Sequence, residues 1–401
     1  MGSEWEEVPL KELAITNREN YSKKDGWEYV YYLDTANITK CIIGDITCLD
    51  LENDKLPSRA RRKIAINDIV YSTVRPNQEH YGIIREPVSN MLVSTGFVTI
   101  TVKEGVEASY LYYFISQPQI TAYFHAIAEQ RVSTYPALNV SDIENLTVAV
   151  PPLPTQKVIA NTLSCLDAKI EVNNKIIKNL EEQAQAIFKS WFVDFEPFQN
   201  GEFVDSELGM IPKGWKLLKF EDFIIPRNER DNNPEVSTYS VTNTGIHLRE
   251  NIFKKRLSYS KTKNKVLYRG DLVFGMSRDI LNWGVMKDEV GEVSSAYHVY
   301  EINQKVIESW YLELFMTQQI HCFSNLIRPA SREGQGIDRG LLPTKQVYIP
   351  PIDWVNHYFN IWASIKDMQK SYAQQNTTLA ALRDALLPKL MSGKIEVPAD
   401  S

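Results

Sequence analysis

Residues 93–97, Val-Ser-Thr-Gly-Phe, return about 200 positions later as residues 293–297, Val-Ser-Ser-Ala-Tyr. Upstream of them, Asp68-Ile69-Val70 returns as Asp271-Leu272-Val273. A repeat period of this length is typical of a duplicated globular domain and not of a solenoid, whose repeats are much shorter. The sequence therefore predicts two copies of one domain.

A long helix with an apolar heptad stripe follows each copy. The helices are preceded by Pro151-Pro152 and Pro350-Pro351, and proline suits the approach to a first helical turn. Stepping by four and three residues gives these stripes: Ile159, Leu163, Leu166, Ile170, Asn173, Ile177 and Leu180 in the first helix, and Ile361, Ile365, Met368, Tyr372, Gln375, Leu379 and Leu382 in the second.

Neither stripe can be buried within its own helix, so we expect the two helices to pack on each other. If a pseudo-twofold axis relates the two halves, the helices run antiparallel. Asn173 and Gln375 then either meet and fix the register of the helix pair or form a water-exposed polar gap.

Strand and helix patterns recur in the same order in both halves. Residues 69–74, 97–102 and 146–150 are rich in β-branched and aromatic residues, as are 272–276, 297–302 and 346–349. Helical stretches are expected near 110–127 and 310–326. The predicted fold class is α+β, with two repeated α/β domains separated by a pair of long antiparallel coiled-coil helices.

Composition places the chain among ordinary globular proteins. Hydrophobic residues make up 43% and charged residues 23% of its 401 residues, and no apolar run is long enough to span a membrane. The 4 cysteines are scattered, which is typical of reduced thiols in a cytoplasmic protein.

The net charge of −6 does not favour nucleic-acid binding, yet basic residues cluster locally. One cluster lies in residues 59–63 and another in residues 254–265, each just upstream of a repeated Asp strand. A single basic run is usually a solvated loop. Two runs at equivalent positions of a duplication favour a functional face.

Recognisable catalytic motifs are missing from the sequence. It contains no phosphate-binding loop, no dinucleotide-binding glycine motif, no zinc-protease motif and no nucleophile elbow, and its His residues lack metal-ligand spacing. We therefore expect a non-enzymatic protein without a metal or cofactor of its own.

The chain resembles the specificity subunit of type I restriction–modification systems. The resemblance rests on Ser-Glu-Leu-Gly-Met-Ile-Pro-Lys-Gly-Trp at residues 206–215, Pro-Pro-Leu-Pro-Thr-Gln at 151–156, and Ala-Ile-Phe-Lys-Ser-Trp-Phe at 186–192. It covers nearly the whole chain. One departure is Val355, which stands in the second helix where the first has Gln156.

The resemblance implies a non-catalytic DNA-recognition subunit. Target-recognition domains would occupy residues 1–150 and 214–349, spacer helices residues 151–199 and 350–397, and a linker residues 200–213. Each domain would read one half of a bipartite site in double-stranded DNA. Two modification subunits would bind the helices and carry S-adenosylmethionine, and ATP-driven restriction subunits would join them.

Loop residues that suit this role divide into two groups. Arg, Asn and Gln can address base edges with two hydrogen bonds, whereas clustered basic residues contact phosphates. The candidates for base readout are Arg75, Asn77, Gln78, His80 and Arg131 in the first half, and Arg278, Asn282, Trp283, Ser331, Arg332 and Gln335 in the second. The candidates for phosphate contact are Arg59, Arg61, Arg62, Lys63, Lys261, Lys263 and Lys265.

Two other interpretations remain open from the sequence. The first is a two-headed scaffold protein that binds other proteins and no DNA, which the acidic balance favours slightly. The second is a methyltransferase fused to its own recognition domains, which the missing cofactor motifs disfavour.

Overall fold

The computed structural model describes residues 5–131, 136–230, 236–252, 264–327 and 336–397, without the side chain of Arg131. The chain forms two compact units, the first with residues 1–175 and 371–401 and the second with residues 176–370. Each unit contains part of both long helices, so the domain boundaries drawn from the sequence remain a prediction. In the described ranges, we find no helix with both the length and the apolarity needed to cross a membrane.

The first unit is a mixed α and β domain. Its strands are β1 (Glu6–Pro9), β2 (Ala14–Thr16), β3 (Tyr29–Leu33), β4 (Ile38–Thr39), β5 (Ile42–Ile43), β6 (Thr47–Asp50), β7 (Ala60–Lys63), β8 (Asp68–Ser72), β9 (Tyr81–Ile84), β10 (Met91–Ser94), β11 (Phe97–Val102) and β12 (Thr147–Val150). Its helices are α1 (Leu10–Leu13), α2 (Ala108–Ile115), α3 (Pro118–Arg131), α4 (Val140–Glu144) and the first part of α5 (Leu153–Phe192). The strands form sheets of order β2-β11-β8-β9 and β6-β3-β10-β7, and β1 pairs with β12 and β4 with β5.

The second unit repeats this plan. Its strands are β13 (Phe203–Val204), β14 (Ile211–Pro212), β15 (Lys216–Lys219), β16 (Ile224–Arg227), β17 (Tyr239–Thr242), β18 (Gly245–Leu248), β19 (Lys265–Tyr268), β20 (Leu272–Phe274), β21 (Trp283–Val285), β22 (Val290–Val293), β23 (His298–Ile302) and β24 (Gln346–Ile349). Its helices are the rest of α5, α6 (Arg249–Ile252), α7 (Ser309–Gln318) and the start of α8 (Ile352–Met391). The sheet β16-β23-β20-β21 has the order of β2-β11-β8-β9, and β15 pairs with β24 as β1 does with β12. The predicted fold class, with its duplication, is confirmed.

The repeated aspartates hold equivalent turns at the start of β8 and β20. Asp68 and Asp271 are both buried, and Oδ2 of each accepts a hydrogen bond from the backbone N–H three residues earlier, at Ala65 (2.7 Å) and Tyr268 (2.9 Å). A short carboxylate that bonds to its own backbone stabilises a tight turn. The repetition seen in the sequence is therefore a repetition of local hydrogen bonding.

A buried tyrosine links a helix to a two-stranded sheet in each unit, β1–β12 in the first and β15–β24 in the second. The hydroxyl of Tyr110 in α2 donates to the carbonyl oxygen of Ala149 (2.6 Å), and the hydroxyl of Tyr311 in α7 donates to that of Tyr348 (2.9 Å). Burial raises the pKa of both phenols, so both hydroxyls keep their protons and remain donors.

Replacing Tyr311 by Phe should remove one buried hydrogen bond and leave the Tyr348 carbonyl without that donor. We expect the free energy of unfolding to fall by about 1–2 kcal/mol, measured by urea denaturation. Tyr110→Phe should act similarly. Tyr123→Phe is the control. Because Tyr123 is exposed, its substitution should leave the free energy of unfolding unchanged. Equal denaturation midpoints for Tyr311→Phe and the wild type would contradict this role.

The first turn of α5 is tied to α2 by the buried amide of Gln156. Its Nε2 donates to the carbonyl oxygen of Pro151 (2.9 Å), and its Oε1 accepts from the backbone N–H of Glu107 (2.9 Å). In the second unit, Val355 is buried at the corresponding place in α8. The departure noted in the sequence thus replaces a polar link by apolar packing.

In the first unit, the N-terminal part of α5 packs against the C-terminal part of α8. Ile159 and Leu163 share a hydrophobic core with Leu387 and Leu390. Closer to the middle of the helices, Nδ2 of Asn173 lies 2.9 Å from Oδ1 of Asn376 and 3.5 Å from Oε1 of Gln375. The two segments therefore run antiparallel, and Asn173 is buried with polar partners.

In the second unit, the C-terminal part of α5 packs against the N-terminal part of α8. The hydroxyl of Tyr358 donates to the carbonyl oxygen of Ala184 (2.8 Å), and Nε2 of Gln369 donates to that of Ile177 (3.0 Å). This order of contacts is again antiparallel. The stripe predicted for α5 is buried or half-buried throughout.

The stripe predicted for α8 is partly wrong. Ile361, Ile365, Tyr372 and Leu379 are buried or half-buried as expected, but Met368 and Leu382 are each 47% exposed and Gln375 is exposed. The seam instead contains Gln369, Asn376 and Arg383. An apolar pattern cannot reveal these positions, because polar side chains fill them and find hydrogen-bond partners on α5.

Candidate nucleic-acid interface

In the first unit, the loop between β8 and β9 carries most of the predicted readers. Arg75 and Asn77 are exposed in residues 73–80. The backbone N–H of Arg75 donates to the carbonyl oxygen of Pro136 (3.0 Å), and that of Leu138 donates to Thr73 (2.8 Å). The structure thus brings this loop together with residues 136–138. The side chain of Arg131, a further predicted reader, lies outside the described residues.

His80 and Gln78 brace this loop. Nδ1 of His80 lies 2.7 Å from the carbonyl oxygen of Ile38, and Nε2 lies 3.1 Å from Oε1 of Gln78. Ile38 begins the β4–β5 hairpin, residues 38–43. These two predicted readers therefore connect the loop to the hairpin.

A glycine in each unit allows a hairpin to lie close against the main sheet. A Cβ atom on Gly82 in β9 would lie 2.6 Å from Cδ1 of Ile38 and 3.1 Å from Cα of Cys41. A Cβ atom on Gly284 in β21 would lie 2.8 Å from Cγ1 of Ile246, in the β17–β18 hairpin. Close approach of two backbones requires glycine at such positions. The same device therefore positions both hairpins.

In the second unit, the matching loop joins β20 to β21 in residues 275–282. Arg278 is exposed there, as predicted. Asn282 is instead a structural residue, since its Nδ2 donates to the carbonyl oxygen of Met276 (2.5 Å) and its backbone N–H donates to Oγ of Ser277 (2.8 Å). Trp283 is 8% exposed within the hydrophobic core, where β21 places it as β9 places Tyr81.

Asn282 and Trp283 are therefore corrected from readers to residues that support the loop. The sequence could not show this, because the end of the loop and the start of β21 carry no distinguishing pattern. The remaining candidates of this half, Ser331, Arg332 and Gln335, lie outside the described residues.

Two of the basic candidates hold the sheets together. Nε of Arg62 in β7 donates to the carbonyl oxygen of Phe97 (2.9 Å), and Nζ of Lys265 in β19 donates to that of Tyr297 (2.7 Å). Burial lowers the pKa of both side chains, with Arg230 and Arg339 adding to the effect on Lys265. Arg62 and Lys265 thus lie at equivalent places in the two units, and both act within the fold.

Lys63 is engaged as well, since its Nζ lies 2.7 Å from Oδ1 of Asp25. Arg59 and Arg61 are exposed and remain suited to phosphate contact. Lys261 and Lys263 lie outside the described residues. Of the predicted phosphate contacts, Arg62, Lys63 and Lys265 are thus reassigned to structural roles.

The structure also brings together basic residues that no sequence run indicates. Burial lowers the pKa of His298, and the charges of Lys265 and Arg339 lower it further. Arg230 acts on Lys265 in the same direction. These residues are widely separated in the sequence, so only folding creates the positive potential around β19 and β23. Arg230 and Arg339 are exposed and able to meet a phosphate.

Within the described part of the chain, His, Cys, Asp and Glu side chains form no group that could hold a metal ion. The exposed loop side chains Arg75, Asn77 and Arg278 offer hydrogen bonds and positive charge. Guanidinium and amide groups on a rigid sheet can recognise bases and phosphates, and neither task requires a metal ion.

Comparison with known proteins shows what this chain is similar to. A family model described as the type I restriction modification DNA specificity domain matches residues 2–182. The specificity subunit of the type I restriction enzyme HindI from Haemophilus influenzae is 32% identical over 199 residues, which are 49% of this chain and 42% of that protein. The MjaIX specificity subunit of Methanocaldococcus jannaschii is 26% identical over 337 residues, 79% of this chain and 75% of that protein.

The fold is also found in a solved structure. The type I restriction–modification S subunit from M. genitalium is 13% identical, with 96% of each chain covered and a TM-score of 0.52. The chain is thus similar in sequence to specificity subunits of type I restriction–modification systems, and similar in fold to one of them. The alignment with the HindI subunit spans less than half of that protein.

Gly82→Ala should force the 38–43 hairpin away from β9, because the new methyl group meets backbone as well as side-chain atoms. We expect a loss of about 1–3 kcal/mol in the free energy of unfolding, measured by urea denaturation. Gly44→Ala is the matched control, since a Cβ atom there would lie 3.6 Å from the carbonyl oxygen of Asn37, an ordinary contact. The packing argument fails if both variants unfold at the same urea concentration.

Proposed function

We propose that this protein is the DNA-specificity subunit of a type I restriction–modification enzyme. Each recognition domain reads one half of a bipartite site in double-stranded DNA. The paired helices set the unread spacer between the half-sites and bind the modification subunits. The observation that carries the proposal is the duplicated sheet, which presents equivalent loops with different side chains.

Two copies of one sheet whose loops carry different side chains are suited to the recognition of two different DNA sequences. Arg75 and Arg278 are both exposed in the loop that follows the Asp strand of their unit. Their neighbours differ, since Pro76-Asn77 follows one arginine and Asp279-Ile280 follows the other. An exposed arginine can bond to a guanine edge with two hydrogen bonds, and the surrounding side chains decide which base step it reaches.

The length of the helices agrees with this role. Each has 40 residues, or roughly 60 Å at 1.5 Å per residue. Half-sites one turn of DNA apart are separated by about 34–36 Å. A helix pair of this length is therefore long enough to bridge them.

The chemistry of methylation and cleavage belongs to partner subunits in this proposal. Two modification subunits supply S-adenosylmethionine for adenine methylation, and restriction subunits supply ATP-driven translocation and cleavage. This chain contributes sequence selection alone. It acts in the cytoplasm, where it meets the DNA.

A scaffold protein that binds no DNA is the second candidate, and the net charge of −6 favours it. The two proposals differ in one measurable property. A specificity subunit, assembled with modification subunits, binds DNA with an affinity that falls steeply as salt rises. A scaffold shows no such dependence.

Arg61→Ala and Arg75→Ala should separate positioning from readout. Because Arg61 is proposed to contact a phosphate, its loss should weaken binding equally on all sequences and reduce the salt slope by about 1. Loss of Arg75 should relax one half-site by roughly 1–3 kcal/mol and leave the other unchanged. Binding of the assembled methyltransferase to a panel of mutated sites measures both effects.

Lys63→Met is the control for these variants. Its ion pair with Asp25 gives it a structural role, so its loss should not change base preference. If Arg75→Ala weakens binding uniformly across the panel, Arg75 is a phosphate contact and its assignment as a reader is wrong.

Genome-wide mapping of adenine methylation tests the bipartite site directly. Cells with the chain and its modification subunit should carry a split motif with a fixed gap, which disappears without the chain. Exchanging residues 1–150 for those of a relative should change one half of the motif and preserve the other half and the gap. Unchanged methylation on loss of the chain would favour the scaffold.

A further inference from the structure

Two ion pairs and a pair of amides are among the polar contacts that cross the seam between α5 and α8. In the first unit, Nη1 of Arg383 lies 2.6 Å from Oδ1 of Asp167, and Nδ2 of Asn173 lies 2.9 Å from Oδ1 of Asn376. In the second unit, Nζ of Lys366 lies 2.6 Å from Oε2 of Glu181. In these two ion pairs, α5 supplies the acids and α8 supplies the bases.

The two helices correspond position by position. The starting prolines, Pro151 and Pro350, differ by 199. A buried residue of α5 therefore corresponds to the residue 199 positions later in α8. Ile159, for example, corresponds to Tyr358, and both are buried. By the same offset, Asp167 of α5 corresponds in sequence to Lys366 of α8, Ile177 to Asn376, and Ala184 to Arg383.

This correspondence shows what α5 would meet if it paired with a second copy of itself in the same register. Glu181, which contacts Lys366 in the chain, would face Asp167. Asn173 would face Ile177 in place of Asn376. Asp167 would face Ala184 in place of Arg383. The copy would bring like charges together and leave a buried amide without its partner, and both are unfavourable.

A pair of two α8 helices would also bring like charges together, in this case positive ones. Arg383, which contacts Asp167 in the chain, would face Lys366 of the copy. The symmetry of such a pair would repeat the clash at both ends. Each helix is therefore poorly suited to itself and well suited to the other.

The charges of the observed seam are stabilised by their partners. Half-burial acts to raise the pKa of Glu181, but the hydrogen bond and charge of Lys366 bring it below its usual value. Burial acts to lower the pKa of Arg383, but Asp167 and Asp384 raise it overall. Glu181 and Arg383 are thus held in their charged forms.

We propose that these seam residues make the helix pairing selective, so that a half of the chain separated at the junction binds the complementary half and rejects a second copy of itself. The partner that fits α5 is a helix with bases at the positions of Lys366 and Arg383 and an amide at that of Asn376. Selective pairing keeps two different halves in one molecule. The inference does not depend on DNA recognition.

The test uses the full chain with a protease site inserted after Asp205, which is exposed in the junction. The folded protein is cleaved, dissociated in urea and refolded by dilution, so both halves are always present. Native mass spectrometry then distinguishes mixed pairs from like pairs by mass. We expect mixed pairs to exceed like pairs by at least tenfold. Like pairs in statistical proportion would overturn the proposal.

A charge reversal should change this preference. With Asp167→Lys, two N-terminal halves would place Glu181 opposite the introduced lysine, whereas the mixed pair would place that lysine opposite Arg383. Pairs of N-terminal halves should then increase several-fold over the wild type. Glu182→Lys is the matched control, with the same charge change on an exposed site of α5. Equal shares of like pairs in the two variants would also overturn the proposal.

Discussion

The packing of α5 against α8 is the interaction on which the rest of the structure depends. In the first unit, Leu387 and Leu390 from the end of the chain complete the core that contains Leu163. In the second unit, Phe188 from α5 shares the core with Tyr358 from α8. Each core thus requires residues from both halves of the sequence. The helices are therefore part of both cores, in addition to connecting the repeated domains.

The repeated sheets provide a rigid frame for loops that differ. The turns at Asp68 and Asp271, the tyrosine links and the close approaches at Gly82 and Gly284 recur because backbone geometry demands them. At the exposed tips of the loops that follow β8 and β20, backbone geometry does not fix the identity of the side chains. The duplicated sheets therefore hold the two loops in the same geometry, while the side chains of the loops differ.

The candidate interface shows how far a sequence pattern leads. It indicated basic clusters at equivalent positions, of which Arg62 and Lys265 do correspond. It could not separate Arg61 from Arg62, which are adjacent and indistinguishable by composition. Strand alternation exposes the first and directs the second to the carbonyl oxygen of Phe97. Arg230 and Arg339 escaped notice because residues far apart in the sequence meet only in the folded chain.

The sequence by itself determined the duplication, three strands of each half, the α+β class and the existence of two long helices, because periodicity and repetition are local properties. Only the tertiary structure decided which face of α8 is buried. Gln369, Asn376 and Arg383 are polar, so their burial depends on partners that α5 supplies from 192, 203 and 216 residues away. A hydrophobic pattern predicts which apolar side chains are buried. Whether a polar side chain is buried depends on the hydrogen-bond partners that the folded chain brings to it.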